Sequence, residues 1–336
     1  MDLLNALVTF LNFVFIPAAA YGAQLALGAL GATLVYGILR FSNFAHGETM
    51  AFGTAATILL TFGLQALGVT FGPLPTALLA LPLGIAATAL LVLGTDRAVY
   101  RFYRVKRAAP VIYVVASLGV MFIMSAITRF LVGVEDIQFT DGARFVINAR
   151  DFRDWSGLEE GLALRSTQLI TLVVAALAVA ALFWFLNRTR TGKSMRAFSD
   201  NEDLALLSGI NPDRVVAVTW IIVAALTTTA GVLYGLDKSF KAFTYFQLLL
   251  PIFAAAVVGG LGNPLGAIAG GFVIAFSEVM VTYAWKQVVA YAVPGDWVPA
   301  GLLQLMTTEY KFAVSFAILI IVLLFKPTGL FKGQSV

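Results

Sequence analysis

His46 is the only histidine in the chain, and Glu48 stands two residues after it, inside Phe41-Ser42-Asn43-Phe44-Ala45-His46-Gly47-Glu48. An imidazole near a carboxylate could move protons, but catalysis needs a nucleophile or a metal to act with. No such partner pattern accompanies them, and the chain has no cysteine, which also removes disulfides and thiolate chemistry. The segment is wedged between two apolar runs. At membrane depth its polar groups would be costly unless they found partners or lined a cavity, and irregular backbone there is tolerated only under the same condition. Asn43, Phe44, His46 and Glu48 are on that ground candidate pathway-lining residues. A plain cytoplasmic turn with a helix cap is the competing reading.

A second interruption is Gly259-Gly260-Leu261-Gly262-Asn263-Pro264. Glycine is flexible and proline lacks a donor, so the run must break a helix, and a new apolar span starts at once. Transporters place such discontinuous helices at their substrate sites, which makes Gly259, Gly260 and Asn263 further pathway candidates. No Lys-Ser or Lys-Thr follows, so a phosphate-cradling loop is excluded. Gly262, Gly266 and Gly270 recur every fourth residue and predict one helix face for close backbone packing. Gly22, Ala26 and Leu30 begin a weaker stripe of the same kind.

A third segment, residues 192–212, is polar and lies between two spans. Asp200 or Asn201 is a candidate N-cap with Glu202 in the first turn. Leu204, Ala205 and Leu207 supply apolar residues, and Gly209 with Pro212 ends the element. This predicts a short amphipathic helix, either a solvated loop helix or a docking knob whose Leu204 and Leu207 enter a partner's groove.

Those segments need a scaffold, and composition says which. Hydrophobic residues make up 60% of the 336 and charged ones only 12%, against about a quarter charged in a soluble domain. Lipid must be the solvent, and the basic balance follows from membrane topology rather than from nucleic-acid binding. Apolar stretches near the 20 residues or so of a spanning helix cover residues 21–39, 76–94, 111–130, 168–186, 215–236, 265–283 and 312–325, with 49–67 and 247–261 less regular. Residues 3–16 are apolar but end at Pro17, so they lie in the interface or insert partway. The count is eight or nine spans in one all-α polytopic membrane domain, residues 1–336. The clear spans hold almost no ionisable residue apart from Arg129 near a span end, which disfavours a secondary transporter or channel with an ion path.

Basic residues set the orientation. Residues 96–109 carry Arg97, Arg101, Arg104, Lys106 and Arg107, and residues 188–214 carry Arg188, Arg190, Lys193, Arg196 and Arg214; both belong in the cytoplasm. The acid-rich loop at 132–165, with Glu135, Asp136, Asp141, Asp151, Asp154, Glu159 and Glu160, belongs outside. The tail, with Lys326 and Lys332, falls inside. No Lys or Arg precedes Arg40, so the N-terminus does not resemble a cleaved signal peptide and is expected outside. Trp184 and Trp220 are expected in an inner aromatic belt.

Taken together, the run from Tyr36 to Glu48 resembles the N-terminal hallmark of LivH-type permeases from branched-chain amino-acid ABC importers. Residues 192–214, ending Gly209-Ile210-Asn211-Pro212-Asp213-Arg214, resemble the family's coupling loop. Ala98-Val99-Tyr100-Arg101, residues 257–271 and Pro327-Thr328-Gly329 match as well, so the likeness runs from about Tyr21 to Leu330. Two departures are the very apolar stretch at 3–17 and Phe102, where the family often has proline. The resemblance implies an ABC importer permease fold with broken helices, and a translocating subunit that is not itself an enzyme. It implies two cytoplasmic ATPase subunits docking on Asp200, Glu202, Leu204, Ala205, Leu207 and Gly209, and a second related permease in a heterodimer rather than a homodimer. A periplasmic binding protein would meet the 132–165 loop. No cofactor is expected on this chain, which lacks a Walker A motif; ATP and Mg²⁺ would sit on the partners. Branched-chain amino acids are the implied cargo, with urea or short amides as alternatives within the family.

Overall fold

Pro17 ought to stop a helix, because it donates no N–H and its ring crowds the carbonyl four residues back. In the computed structural model, which describes residues 2–292 and 301–331, the helix runs through it. α1 (Asp2–Phe10) passes through a π turn at Leu11–Phe15 into α2 (Ile16–Leu39). The wider turn just before the proline accommodates the missing bond. The product is one 38-residue apolar helix, Asp2–Leu39, roughly 57 Å long at about 1.5 Å per residue. Residues 3–16 are therefore helical and continuous with the first long span rather than a separate stretch ended by Pro17. Asn5 Oδ1 accepts from the Glu160 N–H at 3.4 Å, and Asn12 Oδ1 accepts from the Ala163 N–H at 3.2 Å.

The remaining elements follow as α3 (His46–Ala66), α4 (Ala77–Thr95) continued by a π turn at Asp96–Tyr100 into α5 (Arg101–Val105), and α6 (Pro110–Val132). A small antiparallel hairpin of β1 (Phe145–Ile147) and β2 (Leu164–Arg165) brackets α7 (Ala149–Ser156). Then come α8 (Ser166–Arg188), α9 (Arg190–Asp200), α10 (Glu202–Leu207), α11 (Pro212–Lys238), α12 (Ala242–Gly259), α13 (Pro264–Thr282), α14 (Lys286–Ala292) and α15 (Lys311–Phe325). Among the described residues nine helices are long and apolar enough to cross a membrane, the upper of the two counts read from the sequence. Lys332 lies outside the described residues.

α2 and α11 form the centre. Tyr21 to Leu30 are buried without a break, so α2 has no solvent stripe, as befits a helix enclosed on all sides. It packs on α13, α11, α12 and α8. Threonines in α3 and α11 satisfy themselves by bonding back one turn, as Thr54 does to Met50 O at 2.9 Å and Thr227 to Val223 O at 2.8 Å. Small residues set the closest approaches. A Cβ on Gly266 would stand 2.1 Å from the Gly259 carbonyl oxygen, and one on Gly270 2.0 Å from that of Ala255. Gly22 sits on Phe272, and Ala26 backs onto Gly271. Gly262 does not belong to this face. It precedes α13 with φ +82°, because Asn263 and Pro264 start the helix only after it.

Helix ends gather by charge. At one end Arg101 and Arg104 reach Asp213, at 3.4 and 3.6 Å, and Arg40 donates to the Ser199 carbonyl. At the other, Asp141 accepts from the Thr76 N–H at 2.7 Å, the Thr76 hydroxyl at 2.6 Å and Gln65 at 2.9 Å. Trp220 lies in neither belt. It is buried, stacked on Tyr100, and donates to Asp96 at 2.9 Å, because an indole with an interior acceptor is best placed inside. Trp184 does face outward.

Candidate functional site

The chain from Arg40 to Ala45 turns back into the protein. Gly28 precedes Leu39 by eleven residues, about 17 Å along α2, and His46 Nε2 meets the Gly28 carbonyl at 2.9 Å. Six residues past Arg40 the backbone has therefore returned deep among the helices. Most of its polar groups are partnered there, although His46 Nδ1 has no hydrogen-bond partner among the described residues. Asn43 Oδ1 accepts from the Ala45 N–H at 3.1 Å and from the Tyr100 hydroxyl at 3.3 Å, while the Phe44 N–H donates to Ser117 at 3.1 Å. Phe41 is held between Tyr100 and Tyr113, and Phe44 meets Phe253 edge-on. The segment is enclosed by helices, and Asn43 and His46 are buried in packing rather than lining an open cavity, His46 with 1% of its surface exposed.

Glu48 differs. It opens α3 and is one of the residues around a cavity of about 310 Å³, with Met121, Ser125 and Arg129 of α6 and Phe243 and Phe246 of α12. Its Oε2 has no hydrogen-bond partner among the described residues. Arg129, read from sequence only as a charge near a span end, faces the same space.

The Gly-Gly-x-Gly-Asn-Pro run is not a break within one span. α12 and α13 are each long and apolar enough to cross, and residues 260–263 are the tight turn joining them. Gly260 (φ +106°) and Gly262 supply the left-handed positions such a turn requires. Asn263 caps α13, its Oδ1 accepting from the Gly266 N–H at 3.1 Å, and its amide donates to Phe331 O at 2.9 Å. Gly259 packs against Gly266. Gly259 and Gly260 thus shape a hairpin at the basic end rather than line a mid-membrane path. Gly262 and Asn263 line another cavity there, of about 410 Å³, with Gly37, Arg196, Ser199 and Asp200.

The polar block after α8 forms two helices where one was expected. Thr189 caps α9, accepting from the Gly192 N–H at 3.0 Å, and Asp200 closes it. Asn201, one of the two residues proposed as a cap, starts α10 by accepting from the Leu204 N–H at 3.0 Å. α9 is fastened by Met195 and Phe198, both buried. Leu204 and Leu207 project outward, 62% and 86% exposed, while Ala205 is buried beneath them and cannot face a partner. Gly209, at φ +78°, ends the helix as its C-cap glycine.

The apolar periodicity also hid ionisable residues within the spans. Glu278 of α13 is buried beside Tyr21 and Lys311 and accepts from the Ser315 hydroxyl of α15. A carboxylate in the middle of residues 265–283 was the available signal.

Comparison with known proteins gives a consistent result. A family model described as the branched-chain amino acid transport system permease component matches residues 15–323. The high-affinity branched-chain amino acid permease protein LivH of Escherichia coli is 30% identical over 92% of this chain and 91% of its own length. BraD of Pseudomonas aeruginosa, of the same description, is 30% identical over 92% of each chain. The probable branched-chain amino acid transport permease protein LivH of Methanocaldococcus jannaschii is 29% identical over 79% of each.

Proposed function

The chain belongs to the family of branched-chain amino-acid transport permease components, and from that membership we propose how it works as the multi-pass inner-membrane permease subunit of an ATP-driven importer of these amino acids. The observation that carries the mechanism is α10. It is a short helix, capped at both ends, standing on a buried footing and presenting Leu204 and Leu207 to the outside at the basic end. Exposed leucines on a rigid knob are costly in water and favourable in a partner's groove. Two ATPase subunits hold ATP and Mg²⁺ and dock there; this chain contributes motion rather than chemistry. α9 lies against α2, α8 and α11, so displacement of α10 is passed to the central helices. Asp200, Glu202 and Gly209 set the helix's ends.

The basic end lies in the cytoplasm by the positive-inside rule, which puts the N-terminus and the hairpin with α7 in the periplasm and the C-terminus inside. There Trp155, 84% exposed, and the surrounding acids offer a surface for a substrate-binding protein. A second related permease completes the pathway. The test is affinity purification from native membranes with mass spectrometry of the co-purifying chains, then leucine uptake by the reconstituted assembly. Two ATPase chains, a second permease and ATP-dependent uptake are expected; a chain that purifies folded but alone, and an assembly that moves no branched-chain amino acid, would sink the reading. Because the native chain has no cysteine, Trp155→Cys and Leu207→Cys can each be labelled as the sole thiol, and impermeant reagent should reach them from opposite sides.

A further inference from the structure

Glu48 and Arg129 share a cavity yet do not pair. Among the described residues the ion pairs within 4.0 Å join Arg101, Arg104 and Lys238 to Asp96, Asp213 and Asp237, and Arg129 is in none of them. Glu48 is 2% exposed and keeps Oε2 unpartnered, with the Ser125 hydroxyl and the Arg129 charge the nearby groups acting on its carboxylate. A buried carboxylate with a free oxygen is expensive, and the exposed Arg129, in the last turn of α6, stands at the rim of the same cavity without reaching the carboxylate. The gap between them is a place for a third body.

The walls say what kind. Met121, Phe243 and Phe246 supply apolar surface beside the charges, and about 310 Å³ sits at the lower end of the roughly 300–1,000 Å³ typical of small-molecule sites. A simple cation would meet Arg129 as well as Glu48, a simple anion would meet Glu48 as well as Arg129, and a neutral amide would leave both charges uncompensated. A zwitterion answers both, its carboxylate to the guanidinium fork and its ammonium to the glutamate.

We propose that the cavity between α3, α6 and α12 is a transit site for an α-amino acid zwitterion with an apolar side chain, held by Arg129 at its carboxylate, Glu48 at its ammonium and Phe243 and Phe246 along its side chain. Phe243 and Phe246 also face outward, so the site is one wall of a passage that the neighbouring permease closes. The inference rests on the importer reading above and deepens it.

The experiment measures leucine moved per ATP hydrolysed by the complete importer in proteoliposomes, with assembly checked by co-purification of the ATPase subunits. Arg129 faces outward and bears no fold-sustaining pair, so Arg129→Gln should assemble and lower the ratio by about tenfold or more, the scale of one lost charge-assisted hydrogen bond. Glu48→Gln should do the same, and Arg129→Lys and Glu48→Asp should retain more transport than the glutamine variants. An unchanged ratio in Arg129→Gln would overturn the site, as would equal loss in Arg129→Lys. A wild-type assembly that hydrolyses ATP but carries no branched-chain amino acid would instead defeat the importer reading.

Discussion

The indole N–H of Trp220 donates to Oδ1 of Asp96 at 2.9 Å, joining residues 124 positions apart. The same carboxylate takes two bonds from Arg104, at 2.9 and 3.1 Å, and the indole lies nearly flat on Tyr100 with centroids 5.6 Å apart. Asp96 thereby bolts the π turn after α4 to α11. Trp220→Phe keeps the stack and drops a hydrogen bond to a charged group, a loss of about 1.5–3 kcal/mol. Asp96→Ala removes three acceptor contacts and costs about 3 kcal/mol, the low end for a broken buried pair, because Asp213 remains 3.6 Å from Arg104. Thermal unfolding in detergent, followed by helical circular dichroism, should rank wild type above Trp220→Phe above Asp96→Ala. Identical melting for all three would remove Asp96 from this role.

Gly209 and Leu207 separate two ways of breaking α10. A side chain at Gly209 meets nothing within 4 Å, so Gly209→Val suffers only from its φ of +78°, a strain of about 1–3 kcal/mol. Leu207→Asp leaves the backbone alone and removes the exposed apolar contact. Both variants should reach the membrane in normal amount, and both should lose ATPase activity stimulated by the binding protein. Undiminished stimulation in both would refute α10 as the coupling element.

How far these arguments were open to the sequence depends on whether local chemistry decides the outcome. Asn201, Gly209, Pro212 and the small-residue contacts of Gly266 and Gly270 were legible because caps, left-handed positions and close backbone approach are written in single residues. That residues 41–48 carry polar groups in need of enclosure was legible too, since a histidine and a carboxylate between apolar runs have few cheap placements, and Asn43, His46 and Glu48 are buried. Pro17 misled because the π turn that accommodates it has no sequence mark of its own. Gly262 misled because spacing alone cannot say on which side of a helix start a glycine falls. The hydrogen bond of Trp220 to Asp96, and the shared cavity of Glu48 and Arg129, join distant segments and appear only once the helices are packed.

Asp141 gives the acid-rich loop a pH dependence. Partial burial pushes its carboxyl up, but hydrogen bonds from the Thr76 hydroxyl and N–H and from Gln65 outweigh that and hold it below the usual aspartate value. A depressed folded value means the stabilisation is complete above the unfolded aspartate range, about pH 3.9, and is lost as pH falls through the lower folded value. The Thr76 amide, donating to Asp141 at 2.7 Å, is the reporter. Its hydrogen-exchange protection should exceed that of the Asp141→Asn variant near pH 6 and converge on it as the solution is acidified below that range. A ratio that stays constant with pH would show that the carboxylate's charge does not hold the loop.

α15 meets one buried acid. Of its residues only Val314 and Ser315 are fully buried, with Phe312, Ile318, Leu319 and Val322 partly buried against the core, and the Ser315 hydroxyl donates to Glu278 of α13 while Lys311 lends its charge. A carboxylate among apolar helices is costly unless partnered, so its presence there is explained by the helix it holds. Glu278→Leu removes the acceptor and should free α15, whereas Glu278→Gln keeps an acceptor oxygen for Ser315 and loses only the charge. With Val314→Cys as the sole thiol, a small maleimide in detergent should label the Glu278→Leu background much faster than the native one. The Glu278→Gln background should stay slow if the hydrogen bond is the clamp, and should become fast if the charge facing Lys311 is. Equal labelling in all three backgrounds would show that α15 is held by apolar packing on α12 and α13 alone.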